Sequence, residues 1–296
     1  MPSGPHEIKI DAGGMQFRAL EWPGAGPPVL LLHATSFCAD VWGPAWLSAC
    51  AAGAAGRRAL AADARGHGGT SAPREAREYA WPRLADDAVA LVEACAELEG
   101  AILVGHSSGG AAALVAAARR PELVRGVVAI EPVLFDPPAA GAELDSFAGS
   151  RGMAERARRR RASFKSREDA RQTLVARFPY SGFAPAALDA FVAGGLAARE
   201  GGVELRCSPE VEAWIYEGAS ALDLWREAGE ISVPVLLLRA EQSAIPEALA
   251  LRLASRARRL EIQQVAAATH FAPLEQPEQV GRAIGQFVST IADGAA

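Results

Sequence analysis

The residues best suited to chemistry lie in one short segment, where a Gly-x-Ser-x-Gly sequence runs from Gly105 to Gly109. The apolar residues 101–104 before it predict a buried strand, and the alanine-rich residues 111–118 after it predict a helix. A turn this tight strains the backbone of its central residue and holds that side chain clear of the sheet. Ser107 is therefore the candidate nucleophile. Bulkier residues than the two glycines would collide with the neighbouring strand and helix.

A serine nucleophile needs a base within hydrogen-bond reach, and the chain has five histidines that could supply it. Four of them occupy terminal, strand-end, turn or elbow positions that do not suit a base: His6, His33, His67 and His106. His270 stands in a loop after the predicted strand 260–265. Parallel sheets place functional groups in loops at the carboxyl ends of their strands, so we expect His270 to be the base.

Four motifs occur in the order typical of the α/β-hydrolase family, which the chain resembles over nearly its whole length. They are the His-Gly-like loop Leu31–Thr35, the Asp-x-Arg-Gly-x-Gly-x-Ser turn Asp63–Ser71, the nucleophile elbow Gly105–Gly109 and the histidine loop His270–Glu278. The resemblance implies an α/β fold with a mostly parallel eight-stranded sheet flanked by helices and a helical cap insertion. It also implies an oxyanion hole formed by the backbone amides of Thr35 and Ser108.

The chain departs from this family at the acid that orients the histidine. In most relatives the strand equivalent to Val233–Arg239 is followed by Gly-x-x-Asp, whereas this chain has Ser243 at the acidic position. A hydroxyl brings no charge to stabilise an imidazolium. Glu131 ends the predicted strand 126–131, from which some haloalkane dehalogenases of this fold take their acid, and Glu241 is the alternative. We favour Glu131, because its apolar approach implies burial, where an unpaired carboxylate is costly.

The predicted site also includes a substrate pocket. Its candidate residues come from the motif loops and the aromatic residues of the insertion: His33, Phe37, His106 and Trp214. His33 has an alternative role as a buried, hydrogen-bonded support of the oxyanion loop, and aromatic residues of an insertion serve as core at least as often. The basic run Arg156–Arg161 has acidic neighbours in a helical setting, which favours a solvated face over an anion site.

Strand and helix patterns alternate at both ends of the chain and predict a mostly parallel sheet covered on both faces. We expect residues 1–133 and 229–296 to form the core domain. Residues 134–228 hold no convincing strand and contain many Ala, Arg and Glu residues with scattered aromatics, so they are predicted to form the helical cap.

Composition narrows the classes of partner. A chain of 296 residues with 50% hydrophobic residues and a net charge of −5 predicts a globular protein without nucleic-acid or membrane partners. The four cysteines match no zinc or redox spacing, and the N-terminus lacks a signal peptide, so a cytoplasmic protein is expected. The predicted mechanism needs neither a metal nor an organic cofactor. Composition does not define the oligomeric state.

A serine nucleophile indicates an acyl-enzyme and a small-molecule acyl substrate, of which a small carboxylic ester is our first expectation. Within the same fold, the alternatives are a lactonase and a hydrolase that cleaves a C–C bond in a vinylogous diketone. A ligand-binding protein that has lost turnover is a further hypothesis, because Ser243 vacates the usual acid position.

Overall fold

The computed structural model describes residues 4–95, 100–134, 148–292 and 294. Its strands are β1 (His6–Ala12), β2 (Met15–Trp22), β3 (Ala25–Leu32), β4 (Arg57–Ala62), β5 (Ala101–His106), β6 (Val124–Ile130), β7 (Ser163–Phe164), β8 (Leu196–Arg199), β9 (Gly202–Leu205), β10 (Val235–Ala240) and β11 (Leu260–Val265). Eight of these form one sheet in the order β1-β2-β4-β3-β5-β6-β10-β11. The β1–β2 and β2–β4 pairs are antiparallel and the other pairs are parallel.

Helices cover both faces of this sheet. The α-helices of the described residues are α1 (Gly43–Ala49), α2 (Trp81–Cys95), α3 (Ser108–Arg119), α4 (Ala148–Arg158), α5 (Arg167–Val175), α6 (Pro185–Gly194), α7 (Pro209–Glu217), α8 (Leu224–Ala228), α9 (Glu247–Arg256), α10 (Ala272–Glu275) and α11 (Pro277–Ala292). One face packs against α1 and α11, and the other packs against α2, α3, α8 and α9. The predicted α/β architecture, a mostly parallel eight-stranded sheet flanked by helices, is confirmed.

The central strand β5 begins with four apolar residues because each face of the sheet meets a helix layer. Every residue of β5 is buried. Leu103 packs in the core on one side of the sheet, whereas Ile102 and Val104 pack in the core on the other side. This alternation follows from the two-residue period of a strand, which sends successive side chains to opposite faces. The sheet is thereby a rigid platform for the groups at its carboxyl edge.

The segment between β6 and β10 was predicted to contain no strand, and this prediction was wrong. Within it β7, β9 and β8 form a small antiparallel sheet beside helices α4 to α7. These strands have two to four residues each, too few for a periodic pattern to distinguish them from loops. The assignment of residues 134–228 to a separate cap domain stays a prediction, and residues 135–147 lie outside the described part of the chain. None of the helices in the described part is both long and apolar enough to cross a bilayer.

Candidate active site

The candidate nucleophile lies at the sharp turn between β5 and α3. Ser107 has φ 56° and ψ −115°, a strained conformation for a residue with a side chain. A Cβ atom on Gly105 would lie 2.3 Å from the carbonyl oxygen of Gly109, and one on Gly109 would lie 2.3 Å from the carbonyl oxygen of Leu32. Both positions therefore require glycine, as the sequence predicts.

His270 approaches this serine from the loop that follows β11. Its Nε2 lies 2.9 Å from the Oγ of Ser107, within hydrogen-bond distance. The backbone carbonyl of His270 accepts a 2.7 Å hydrogen bond from Nε2 of His106. Burial, reinforced by the neighbouring His270, lowers the pKa of His106 to about 3, so this donor is a neutral imidazole at physiological pH. His106 thus helps to hold the histidine loop above the elbow.

Glu131 stands where β6 ends and adopts a positive φ of 43°. It is fully buried, and its Oε2 lies 3.5 Å from Nδ1 of His270, longer than an ordinary hydrogen bond. No atom in the described part of the chain makes a hydrogen bond with that Nδ1. Catalytic hydrogen bonds are often long before substrate binds, so this geometry suits an acid that orients the imidazole.

Three further donors hold the Glu131 carboxylate. Its Oε1 accepts from the Ala240 amide at 2.8 Å and from the Ser243 hydroxyl at 2.5 Å, and its Oε2 accepts from the Ala244 amide at 3.0 Å. Burial alone would raise the pKa of Glu131. The contacts with His270, Ser243 and the Ala240 amide outweigh burial and lower that pKa, so the carboxylate remains ionised.

The alternative acid, Glu241, lies elsewhere. It is exposed, and its carboxylate accepts a 2.7 Å hydrogen bond from the backbone amide of Ala267. The structure therefore brings Glu131 to His270 and leaves Glu241 in a neighbouring turn. Sequence reasoning treated Ser243 only as a lost acid and missed its role as a donor. The position of Ser243 in the chain could have indicated this role, because the residue at the family's usual acid position follows β10, and β10 lies next to β6 in the sheet.

The two predicted oxyanion donors lie next to each other, but one of them is engaged. The backbone amide of Thr35 donates to the Oγ of Ser108 at 2.9 Å, and the Thr35 hydroxyl donates to the same atom at 3.0 Å. An oxyanion can therefore accept a hydrogen bond from the Thr35 amide only if the bond from that amide to the Ser108 hydroxyl breaks or is shared between the two acceptors.

Buried groups under the oxyanion loop fix its shape. His33 donates from Nδ1 to the Ala34 carbonyl at 2.8 Å and accepts at Nε2 from the Ala64 amide at 2.9 Å. Nε2 of His67 accepts from the Ser36 amide at 3.0 Å. Burial lowers the pKa of both imidazoles, so both are neutral supports.

A cavity of about 640 Å³ lies between the oxyanion loop and the segment that follows β6. Of the four predicted pocket residues, Phe37 lies in its wall, whereas the other three do not. His33 and His106 are buried beneath the loops that they support. Trp214 packs against Tyr79, with 5.6 Å between ring centroids. The side chains of these three residues serve in support and core packing, and their assignment to a substrate pocket stays a prediction.

The basic run is largely exposed, as a solvated face requires, but four of its arginines also line this cavity. Arg156, Arg159, Arg160 and Arg161 line the cavity, and Arg177 joins them from the end of α5. Met153, Arg156, Ala157 and Arg160 recur at helical spacing, so one face of α4 and its continuation points into the cavity. The acidic residues near this run in the sequence do not indicate which face of the helix points into the cavity. No group of three His, Cys, Asp or Glu residues in the described ranges is arranged to hold a metal.

Comparisons with known proteins agree with this architecture. A model of the alpha/beta hydrolase family matches residues 29–283. The 2-(acetamidomethylene)succinate hydrolase of Mesorhizobium japonicum is 30% identical over 285 residues, which cover 95% of this chain and 94% of that protein. The crystal structure of E-2-(acetamidomethylene)succinate hydrolase aligns with a TM-score of 0.80 at 26% identity, over 96% of this chain and 99% of the other. The 2-hydroxymuconate semialdehyde hydrolase of a Pseudomonas species is 36% identical over 129 residues, 43% of this chain and 44% of that protein.

Proposed function

This chain belongs to the alpha/beta hydrolase family, and we propose that it is a serine hydrolase that cleaves an acyl substrate through an acyl-enzyme on Ser107. The observation that carries the proposal is the 2.9 Å contact between Ser107 Oγ and His270 Nε2, with the buried Glu131 carboxylate behind the imidazole. A nucleophile, a base and an orienting acid are the parts that acyl transfer by serine requires.

In the proposed first step, His270 Nε2 takes the proton of Ser107 as its Oγ attacks the substrate carbonyl carbon. The negative charge that forms on the carbonyl oxygen is stabilised by the backbone amides of Thr35 and Ser108. Loss of one such donor typically slows this type of reaction about 10²–10³-fold. His270 then gives its proton to the leaving group, whose bond to the acyl carbon breaks.

In the second step, water attacks the acyl-enzyme with His270 again acting as the base, and the carboxylic acid and Ser107 are released. Glu131 acts throughout as a fixed anion. It holds the ring of His270 in one tautomer and stabilises the imidazolium that forms twice in each cycle.

This chemistry requires a carbonyl group attached to a leaving group, and a small carboxylic ester satisfies it. The relative with 30% identity is named for hydrolysing a compound with an acetamido group, which also offers an acyl carbon. A lactone is an internal ester and would follow the same steps. A protein that only binds its ligand would have no need of the Ser107–His270 contact.

C–C bond hydrolysis is a second candidate, favoured by the partial match to a protein named as a 2-hydroxymuconate semialdehyde hydrolase. The two reactions can be separated by assaying the purified protein with p-nitrophenyl acetate and with a ring-cleavage dienoate. We expect the native protein to release p-nitrophenol and the Ser107→Ala variant to release none. Turnover of the dienoate alone would favour C–C cleavage. Binding without any product over hours would contradict the enzymatic proposal.

A further inference from the structure

The cavity beside the oxyanion loop carries an excess of positive charge. Thr35 and Phe271, the neighbour of the candidate base, contribute to one part of its wall. Five arginines line the remainder: Arg156, Arg159, Arg160, Arg161 and Arg177. Among the described residues of the wall, Glu212 is the one carboxylate that faces them.

Two of the five arginines are already paired. Arg160 donates hydrogen bonds to Glu212 and, at 2.9 Å, to the hydroxyl of Tyr180. Arg161 donates to Asp169 at 2.6 Å. These two guanidinium groups are fixed in place and largely neutralised by their partners.

The other three arginines are not neutralised in this way. Arg159 lies 3.9 Å from Glu155, and both side chains are exposed, a geometry that contributes little. In the described part of the chain, neither Arg156 nor Arg177 has a carboxylate within 4.0 Å or a hydrogen-bonded side-chain partner. Positive charges that converge on a cavity without matching anions point to an anionic ligand.

We propose that this cavity is a substrate subsite that binds a carboxylate group, with Arg156 and Arg177 as its principal ligands. The inference rests on the proposed function and specifies its substrate class, an acyl compound that carries at least one carboxylate. A guanidinium offers a planar pair of donors that matches the two oxygens of a carboxylate. The apolar side chains of Phe37, Phe164 and Phe271 in the same wall can pack against the hydrocarbon part of such a substrate.

The size and position of the cavity agree with this role. A volume of about 640 Å³ is within the range of small-molecule sites. Ser107 and His270 do not line this cavity, but Thr35 belongs both to the oxyanion loop and to the cavity wall, so the cavity adjoins the nucleophile. The proposal places the substrate carbonyl at Ser107 and its carboxylate among the arginines.

The kinetic test compares p-nitrophenyl acetate with the mono-p-nitrophenyl ester of succinate, two esters that share a leaving group and differ by a carboxylate. We expect the anionic ester to have at least tenfold higher kcat/KM, and Arg156→Gln or Arg177→Gln to lower that preference about tenfold, as for loss of one charge-assisted hydrogen bond. The matched control is Arg171→Gln, since Arg171 pairs with Asp189 at 2.5 Å outside the cavity and its loss should leave the preference unchanged.

A binding test does not depend on turnover. Ser107→Ala protein is titrated by calorimetry with succinate, with the neutral succinamide and with inorganic phosphate. We expect succinate to bind and succinamide not to bind. The double variant Ser107→Ala/Arg177→Gln should bind succinate at least tenfold more weakly than Ser107→Ala does. Binding of phosphate but not succinate would overturn the carboxylate assignment.

The two tests together separate the subsite from the proposed function. Ser107-dependent hydrolysis of both esters at equal kcat/KM, with no succinate binding, would overturn the subsite and leave the serine hydrolase proposal standing. Arginine-dependent succinate binding by a protein that hydrolyses neither ester would support the subsite and count against the hydrolase.

Discussion

The hydroxyl of Ser243 donates a hydrogen bond to the Glu131 carboxylate, with 2.5 Å between Oγ and Oε1. Ser243 follows β10, and Glu131 follows the neighbouring strand β6. The carboxylate of Glu131 thus follows β6. The neutral donor Ser243 follows β10, at the position where the family pattern has an aspartate. Together with the Ala240 amide, the hydroxyl fixes one carboxylate oxygen while the other faces His270.

Replacing the acid should separate the two candidate glutamates. We expect Glu131→Gln to lower kcat by about 10²–10⁴, because an amide keeps the shape of the side chain but cannot stabilise the imidazolium. Glu241→Gln should change kcat less than twofold, since that side chain contacts the Ala267 amide and not the imidazole. Steady-state kinetics on p-nitrophenyl acetate measures both. The reverse ranking would assign the acid to Glu241.

The acid should be transferable between the two strand ends. In Glu131→Gln/Ser243→Asp, a carboxylate at position 243 lies beside the position that the native one occupies, so we expect at least tenfold recovery of kcat over Glu131→Gln. The single substitution Ser243→Asp should reduce activity, because two buried carboxylates in contact cannot both remain ionised. Kinetics on the three variants tests this, and a double variant no faster than Glu131→Gln would contradict it.

The Ser108 hydroxyl should restrain the oxyanion hole. Its Oγ accepts the Thr35 amide at 2.9 Å, and a hydrogen bond of this kind contributes about 0.5–1.5 kcal/mol. Ser108→Ala removes that acceptor and keeps the backbone amide of residue 108, so we expect kcat/KM to rise a few-fold. Thr35→Val is the matched control, since it removes the hydroxyl contact alone. A tenfold fall in Ser108→Ala would instead assign the hydroxyl a direct role with the oxyanion.

Much of the site could be predicted because its signals are local. The turn around Ser107 follows from two glycines with an apolar run on one side and an alanine-rich run on the other. The choice of acid was harder, because β6 and β10 are adjacent and pair Ile130 with Leu238. Glutamates that follow either strand could reach the same imidazole. The positive φ of Glu131 and the turn that holds Glu241 decide between them, and neither is visible in a sequence pattern.

The parts that sequence reasoning missed depend on long-range packing. Arg156 to Arg161 carry the same charges on either face of a helix, and only the position of α4 over the cavity shows where the side chains point. The small sheet formed by β7, β9 and β8 depends on pairing between short segments far apart in the chain, such as Ser163 with Glu204. Periodicity cannot report such pairs.

Acid should destabilise the fold partly through His106. Its pKa of about 3 in the folded protein is below the ordinary 6.5, so below pH 6.5 the unfolded chain binds a proton that the folded protein does not. The free energy of unfolding therefore falls as the pH drops from about 6.5 toward 3. Urea unfolding between pH 7 and pH 4 should show a shallower fall in His106→Gln, which keeps a donor but cannot titrate. Parallel curves would contradict this assignment.

The central claim is that the hydroxyl at position 107 is the nucleophile. Its most direct test is mass spectrometry of the protein after reaction with a fluorophosphonate, followed by peptide mapping. We predict one adduct on Ser107, no adduct in Ser107→Ala, and much slower labelling in His270→Ala. Full labelling of Ser107→Ala, or an adduct mapped to another residue in the native protein, would contradict the claim.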